Sequence, residues 1–144
     1  MTAAAILAGL IRRFEGCRLR AYLCPAGVPT IGFGATGPDV RLGIAWTQQQ
    51  ADERMAADAA VFLAGSAKLV PTARTAGRQA ALADFAYNLG LTRLKASTLR
   101  RRALAGDWAG VQTELAKWTR GGGRVLPGLV RRRAAESALI GPQP

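Results

Sequence analysis

The 144-residue chain contains no histidine, and this absence excludes several kinds of active site. A Ser-His-Asp triad, a Cys-His pair and a histidine-ligated zinc site all require an imidazole. Two cysteines are too few for a Cys₄ zinc site and do not suggest a disulfide framework. Any catalysis would therefore depend on carboxylate, thiol, hydroxyl, lysine or tyrosine groups, and we expect neither a metal nor another cofactor.

Acidic residues are also scarce, with 9 Asp and Glu against 20 Lys and Arg, which gives a net charge of +11. Such a balance favours polyanionic partners such as nucleic acid, anionic lipid or an acidic cell-wall polymer. The arginines are scattered and no nucleic-acid-binding motif is present, so we expect no specific nucleic-acid partner. The length and the 49% hydrophobic content predict one globular domain over residues 1–144.

No hydrophobic run is long enough to cross a membrane, which takes about 20 residues. The apolar start, MTAAAILAGL, is followed by Arg12 and Arg13, whereas a signal peptide carries its positive charge before the apolar segment. Apolar residues recur there at helical spacing: Ile6, Leu7, Leu10, Ile11 and Phe14. The pattern predicts a helix with one buried face that ends near Gly16, and an unusual export signal is the alternative.

Glycine and proline punctuate residues 20–44, where three short apolar pieces, AYLCP, TIGFG and DVRLG, predict strands joined by tight turns. The rest of the chain has helical patterns. The sequence therefore predicts an α+β fold in which a small sheet lobe packs against a larger helical lobe. A cleft between two such lobes is a common ligand site.

Several residues predict where the later helices begin and end. Thr47 and Gln50 form a capping box, and Gly90 terminates the helix of GRQAALADFAYNL. Asp107 can cap the helix that follows it, and Pro127 suits the first turn of the last helix.

The C-terminal region is rich in glycine and arginine. Residues Gly121–Gly123 predict a mobile joint, and Arg132 and Glu136 have the spacing of a helical ion pair. The Arg131–Arg133 triplet is typical of a solvated face, with adhesion to an anionic wall or outer membrane as the alternative. We expect the last residues, Gly141–Pro144, to fray.

The stretch RRFEGCRLRAYLCPAGVPTIGFGAT, residues 12–36, contains the residues with chemical potential. Glu15 ends the first predicted helix, Cys24 ends a strand, and Thr30 begins the next strand, so a turn between the strands could bring all three to one cleft. Gly32 and Gly34 would let the backbone approach a bulky ligand. Alternatively, Glu15 forms a surface ion pair, Cys24 is a small core residue, and Thr30 is an ordinary strand residue.

These positions fit the pattern E-x8-C/D-x5-T followed by I-G-[YF]-G, and with them the chain resembles the phage-type lysozymes, the endolysin muramidases of tailed phages. The resemblance continues through ALADFAYNLG, STLRRRALAGDW and GGGRVLPGLVRRRAAESAL, and covers roughly residues 7–139. It implies a lysozyme-like fold. It also implies hydrolysis of the β-1,4 bond between N-acetylmuramic acid and N-acetylglucosamine in peptidoglycan.

The resemblance assigns catalytic roles to Glu15, Cys24 and Thr30. Glu15 would be the general acid, kept protonated at neutral pH by partial burial against the effect of the neighbouring arginines. Thr30 would hold a water or a sugar hydroxyl on the opposite face. Candidate sugar contacts are Tyr22, Phe33, Tyr87, Asn88 and Thr98. For Phe33, core packing is the favoured alternative.

The chain departs from the family at two points. Many relatives have Asp where this chain has Cys24, whose thiolate could replace the carboxylate electrostatically, act as a base through water, or attack carbon. Nearby arginines could lower the pKa of this thiol. Ala35 stands where relatives often have histidine. We expect Cys17 to be structural, and a Cys17–Cys24 disulfide that blocks the active thiol is the alternative.

The resemblance further implies that peptidoglycan glycan strands are the partner and that the protein causes host cell lysis. It implies accumulation in the host cytoplasm and release to the periplasm and cell wall after a holin opens the inner membrane. We expect a monomer. The competing hypotheses are a non-catalytic wall-binding module and a basic nucleic-acid binder. Hydrolysis and 1,6-anhydro product formation by a transglycosylase are both open.

Overall fold

The computed structural model describes residues 1–142, and the described chain forms seven helices and two short hairpins. Of the residues predicted to fray, Gln143 and Pro144 lie outside the described residues. The elements are α1 (Ala3–Glu15), β1 (Arg18–Leu23), β2 (Pro29–Gly32), α2 (Gln48–Leu69), α3 (Ala76–Leu89), α4 (Leu91–Ala96), α5 (Thr98–Leu104), α6 (Trp108–Leu115), β3 (Arg120–Gly121), β4 (Arg124–Val125) and α7 (Pro127–Ile140). This order confirms the predicted α+β class, with a small sheet beside a larger helical body.

The first helix forms as its apolar spacing predicts. The hydroxyl of Thr2 accepts a hydrogen bond from the backbone N–H of Ala5 and caps its start. Leu7 and Ile11 are buried on one face, and Gly16, with φ of 65°, ends the helix. Glu15 is thereby fixed at the point where the helical body meets the sheet.

Two of the three predicted strands form, as the antiparallel pair β1 and β2. The third prediction, over residues 39–43, is wrong. That segment is a series of turns in which the backbone N–H of Val40 donates to the carbonyl of Gly37. Gly37, Pro38 and Gly43 favour turns over an extended ladder. Only an isolated bridge between Arg20 and Ala45 extends the sheet there.

The predicted helix boundaries are confirmed at four points. Thr47 and Gln50 make both hydrogen bonds of the capping box at the start of α2. Gly90 caps the C-terminus of α3, and the Asp107 carboxylate caps the N-terminus of α6. Pro127 is the first residue of α7. Local sequence signals therefore fix these four helix ends.

The predicted mobile joint at Gly121–Gly123 is instead a hairpin between β3 and β4. Gly122 and Gly123 form its turn with φ of 59° and 82°, conformations that glycine adopts without steric cost. The hairpin leads directly into α7 and fixes where that helix begins.

α3 is the central helix, and every residue from Ala80 to Ala86 is buried. One side of it packs in a core with α5, α6 and α7, and the other packs with α1, α2 and Phe33. The sheet lobe has a small core of its own, in which Ala35 packs against Ile31 and Val40. No helix among residues 1–142 has the length and apolar character of a membrane span.

Candidate active site

Glu15 lies where three parts of the fold meet, and its side chain is 21% exposed. Its Oε1 accepts a hydrogen bond from Nη1 of Arg132 on α7 at 2.7 Å. Its Oε2 lies 2.8 Å from where a Cβ on Gly34 would be, so only glycine leaves room for the carboxylate there. Gly34 thus accommodates Glu15, and Gly32 accommodates the ring of Trp46. Gly34 also lines a cavity of about 240 Å³, and the approach of a ligand to these two glycines stays a prediction.

A cleft of about 400 Å³ opens beside the Glu15 carboxylate. Asn88 from α3 and Leu129 from α7 line it together with Glu15, and Arg13 and Arg131 add positive charge. The volume suits a sugar-sized ligand, and the lining combines one carboxylate with several cationic groups.

Cys24 and Thr30 lie together on the β1–β2 hairpin, where Thr30 pairs with Tyr22 across the strands. The pKa of the Cys24 thiol is lowered because the backbone N–H groups of Val28 and Ala26 stabilise the thiolate, with a further contribution from the Thr30 hydroxyl. The predicted cause was the nearby arginines, and the causes found are the backbone groups of the turn and this hydroxyl.

The hydroxyl of Thr30 is buried and donates to the carbonyl of Val28 at 2.9 Å. A hydroxyl has one proton, so it serves either this carbonyl or the sulfur of Cys24 at a given moment. The hydrogen bond that Thr30 makes within the turn therefore affects whether its hydroxyl can also stabilise the Cys24 thiolate.

Strand β2 connects the two halves of the candidate site. Thr30 lies near its start, and Gly34, which contacts Glu15, follows its end. A bridge between Ile31 and Ala35 folds this segment back on itself. With about 3.8 Å between successive Cα atoms and about 5 Å across the bridge, the Cα atoms of Thr30 and Gly34 are at most roughly 13 Å apart. Thr30 thus lies close along the fold to Gly34, the residue that contacts Glu15.

Cys17 is exposed and accepts a hydrogen bond from Gln48, and both cysteines are free thiols. Strand β1 separates Cys17 from Cys24, and seven extended steps span roughly 20 Å. Because a disulfide requires Cα atoms within about 7 Å, this fold does not permit the Cys17–Cys24 bond.

Tyr87 and Phe33 contact each other instead of forming a flat aromatic platform. The hydroxyl of Tyr87 donates to the Phe33 carbonyl at 2.6 Å, and Phe33 is buried in the core. Burial, followed by the charge of Glu15, raises the pKa of Tyr87. Tyr87 also lines a second cavity of about 240 Å³ with Thr36 and Asp58. These positions favour core packing for Phe33 and leave Tyr87 accessible from a cavity.

The other predicted sugar contacts occupy three different settings. Asn88 lines the cleft beside Glu15, and its Oδ1 accepts a hydrogen bond from Arg133 at 2.7 Å. The ring of Tyr22 on β1 lies under the guanidinium of Arg18 at 4.3 Å. Thr98 begins α5, and its hydroxyl accepts from Arg101. Of these three, Asn88 shares a cavity with Glu15.

A buried ion pair that the sequence prediction missed supports Glu15. Arg132 donates from Nε and Nη2 to both oxygens of Asp84 at 2.9 and 2.8 Å, in addition to its bond to Glu15. Burial opposes the charge of Arg132, but the hydrogen bonds and charge of Asp84, then those of Glu15, raise its pKa. The predicted Arg132–Glu136 pair is wrong, since Asp84 and Glu15 occupy Arg132.

Glu136 pairs with Arg133 instead, through a 3.0 Å hydrogen bond in the core. Burial, and then a hydrogen bond with Asp84, raises the pKa of Glu136 well above its ordinary value. Burial also lowers the pKa of Arg133, against the attraction of Glu136. The triplet is therefore not a solvated face, because only Arg131 is exposed.

The helical spacing of α7 contained a signal for these buried charges. Arg132, Arg133 and Glu136 follow Leu129 at three, four and seven residues, and Ile140 continues the same stripe. The spacing of these residues identifies the stripe as the buried face of α7. Their charged side chains hide this signal, because charged residues usually face solvent.

Comparison with known proteins gives consistent matches along the chain. Residues 12–136 match the family model described as phage lysozyme. An endolysin of Acyrthosiphon pisum secondary endosymbiont phage 1 is 37% identical over 135 residues, which are 91% of this chain and 92% of the relative. The solved endolysin from Escherichia coli O157:H7 phage FAHEc1 superimposes with a TM-score of 0.84 at 31% identity and covers 97% of this chain and 93% of its own. The muramidase domain of SpmX from Asticaccaulis excentricus gives 0.85 at 31%, with 94% and 95% covered.

Proposed function

Because the chain belongs to the phage lysozyme family, we propose that Glu15 is the general acid of its glycosidase reaction and that Cys24 and Thr30 act on the opposite side of the sugar ring. The chain is a peptidoglycan hydrolase of the endolysin type. It cleaves the β-1,4 bond between N-acetylmuramic acid and N-acetylglucosamine, and this activity lyses the bacterial host.

The observation that carries the role of Glu15 is the placement of its carboxylate at the wall of the 400 Å³ cleft. Breaking a glycosidic bond requires a proton on the leaving oxygen. In this structure the Glu15 carboxylate accepts a hydrogen bond from Arg132. We infer that this contact loosens when glycan fills the cleft, so that Glu15 can carry and deliver the proton.

Cys24 supplies the negative charge that the oxocarbenium-like centre needs on its other face. Its thiolate is stabilised by backbone N–H groups of the turn, and a lowered pKa increases the charged fraction near neutral pH. Thr30 sits against this sulfur and orients it or a water beside it. If the thiolate attacks carbon as the C–O bond breaks and water then displaces the sulfur, the anomeric centre is retained, whereas a single direct attack by water gives inversion.

Asn88 and Tyr87 are the sugar contacts that the cavities favour, since each lines a cavity next to Glu15 or Gly34. Tyr22 and Thr98 are outer contacts in this proposal, and Phe33 supports Tyr87 from the core. The amide of Asn88 offers both a donor and an acceptor to sugar hydroxyl or acetamido groups.

The protein acts on the host cell wall, as phage endolysins do. We propose that it gathers in the host cytoplasm and reaches the periplasm after a holin opens the inner membrane, and that it works as a monomer. The net charge of +11 supports a further attraction to anionic polymers of the envelope.

The test is digestion of purified peptidoglycan by the wild type, by Glu15→Gln and by Glu53→Gln. Glu53 lies on the exposed face of α2, so its variant is a matched control for the loss of one carboxylate. We expect mass spectrometry to find new reducing ends with the wild type and Glu53→Gln and none with Glu15→Gln. Equal digestion by all three enzymes would show that Glu15 is not the general acid. Binding without products would favour the wall-binding alternative, and 1,6-anhydro ends would indicate a transglycosylase.

A further inference from the structure

A continuous set of charged and polar side chains extends from the cleft into the core between α3 and α7. The set begins at Glu15, and each neighbour in it is joined by a hydrogen bond or a direct carboxyl contact. In order, its members are Glu15, Arg132, Asp84, Glu136, Arg133 and Asn88. Because both ends of the set, Glu15 and Asn88, line the same cleft, a change inside it can be felt at the reaction site.

Arg132 is the link between the cleft and the core. Its side chain is 4% exposed, and three of its five N–H groups are used by the two carboxylates, two by Asp84 and one by Glu15. The fork geometry of a guanidinium matches both oxygens of one carboxylate, so Asp84 fixes the orientation of Arg132. The position of Nη1, and therefore its hydrogen bond to Glu15, depends on the two hydrogen bonds by which Asp84 fixes the guanidinium group.

Asp84 and Glu136 are both fully buried on the packed helices α3 and α7, and a side-chain hydrogen bond with Asp84 is one cause of the raised pKa of Glu136. Two adjacent carboxylates in a dry interior cannot both be ionised without a large cost. Glu136 Oε1 accepts from Arg133, while its Oε2 finds no hydrogen-bond donor among residues 1–142. An oxygen that carries the proton needs no donor and can itself donate to Asp84.

The charge count supports the same arrangement. With Glu136 protonated, the two guanidinium groups of Arg132 and Arg133 balance the two carboxylates of Glu15 and Asp84. With Glu15 and Glu136 both ionised, the set would hold three carboxylates against two guanidinium groups, and two of the carboxylates, Asp84 and Glu136, are fully buried. Buried charges persist only when they are paired, so the neutral form of Glu136 is favoured.

We propose that Asp84 and Glu136 are positioning residues that share one proton and thereby hold Arg132 against the carboxylate of the general acid, Glu15. The proposal depends on the function proposed for Glu15. It adds that these two buried residues, through Arg132, influence the pH range in which Glu15 is protonated. Asp84 and Glu136 do not touch the substrate and act through Arg132.

Other charged and titratable groups face the two carboxyl groups that the proposal invokes. Around Glu15 they are Arg13, Arg131 and Arg132 in the cleft and Tyr87 on α3, and around Glu136 they are Asp84, Arg132 and Arg133. From the sheet lobe, the backbone of Gly34 lies against Glu15. Asp84 and Glu15 thus share Arg132, and the negative charge of Asp84 offsets part of the positive charge that Arg132 presents to Glu15.

The first test is the pH profile of kcat/KM for Asp84→Asn on purified peptidoglycan. An amide keeps the shape but removes the charge, so Arg132 pairs with Glu15 alone and repulsion between Asp84 and Glu15 disappears. Both changes favour the ionised form of Glu15. We expect the alkaline limb of the profile to move to lower pH by about one unit. Asp107→Asn, which removes a charge but keeps the cap of α6, should leave the limb in place.

If Asp84→Asn folds and the alkaline limb of its pH profile lies at the same pH as that of the wild type, the proposal is overturned. This result differs from failure of the proposed function, because that failure is an active Glu15→Gln enzyme and does not depend on Asp84. A loss of rate at all pH values without a shift of the limb shows a merely structural role for Asp84 and also overturns the proposal.

The second test uses the wild type and holds even if Asp84→Asn does not fold. The four glutamates are Glu15, Glu53, Glu114 and Glu136. Carboxyl ¹³C NMR of selectively labelled protein should show one glutamic acid signal that keeps its protonated shift through neutral pH and is absent from Glu136→Gln. If the signal lost in Glu136→Gln titrates near the ordinary value of about 4.3, the shared proton does not exist and the proposal is wrong.

Discussion

The two groups of residues proposed to act in catalysis, a hairpin side and a helical side, are built in different ways. On the hairpin side, residues 24–30, the thiol of Cys24 and the hydroxyl of Thr30 are set by backbone groups of the same turn. On the helical side, Glu15 is set by Arg132, which is 117 residues away along the chain, and Arg132 by Asp84, which is 48 residues from it. Local turn geometry determines the hairpin side, and buried pairing between distant residues determines the helical side. Mutations on the two sides should therefore differ in how much stability and how much activity they remove.

The largest effect is expected from Arg132→Met, which leaves the Asp84 carboxylate buried without its partner. We expect the free energy of unfolding to fall by about 3–5 kcal/mol, because an uncompensated buried charge is strongly unfavourable. Urea unfolding measures the difference. The matched control is Arg54→Met, whose arginine pairs with Asp39 and Asp58 nearer the surface and should cost about 1 kcal/mol. Equal losses in the two variants would show that burial does not distinguish these pairs.

On the hairpin side, Cys24→Ser should reduce activity without a comparable loss of stability. A serine hydroxyl does not ionise near neutral pH, so the negative charge on this face is lost and we expect the initial rate to fall about 100-fold. Cys24→Asp restores a negative group and should recover most of the rate. The measurement is the release of reducing ends from peptidoglycan. A serine variant with the full rate would exclude a thiolate role.

The same contrast explains which parts of the molecule the sequence predicts. The capping box at Thr47 and Gln50, the helix stop at Gly90 and the positions of Glu15, Cys24 and Thr30 all depend on local signals or a recognisable motif. The partners of Arg132 do not, since they lie on two other helices and require the tertiary fold. The third predicted strand failed because Gly37, Pro38 and Gly43 turn the chain more strongly than its apolar residues extend it.

Gly34→Ala tests the contact where the two sides meet. Gly34 has φ of 83°, and an added Cβ would press on Oε2 of Glu15. Gly27→Ala is the matched control because Gly27 has φ of 77° and open space around it. Both variants should lose about 1 kcal/mol of stability from backbone strain. Only Gly34→Ala should also lose roughly tenfold in activity, because it displaces the acid. Similar rates in the two variants would mean that Glu15 tolerates the displacement.

The smallest effect is expected from Glu136→Gln, and its sign depends on pH. Because the pKa of Glu136 is raised in the folded protein, the folded state holds a proton that the unfolded chain releases above the ordinary value near 4.3. The stability that this group contributes is complete below that value and is lost as pH rises through the folded value. Glutamine has no proton to lose, so the variant lacks this decline.

The melting temperature of Glu136→Gln minus that of the wild type should therefore increase by about a few degrees as pH rises from 4 to 8. Glu53→Gln, which removes an exposed carboxylate, should follow the wild type across the range. Curves for the wild type and Glu136→Gln that stay parallel would mean that Glu136 is ionised in the folded protein. The helical side would then hold two ionised carboxylates, Asp84 and Glu136, in its core, and the proton that they are proposed to share would not exist.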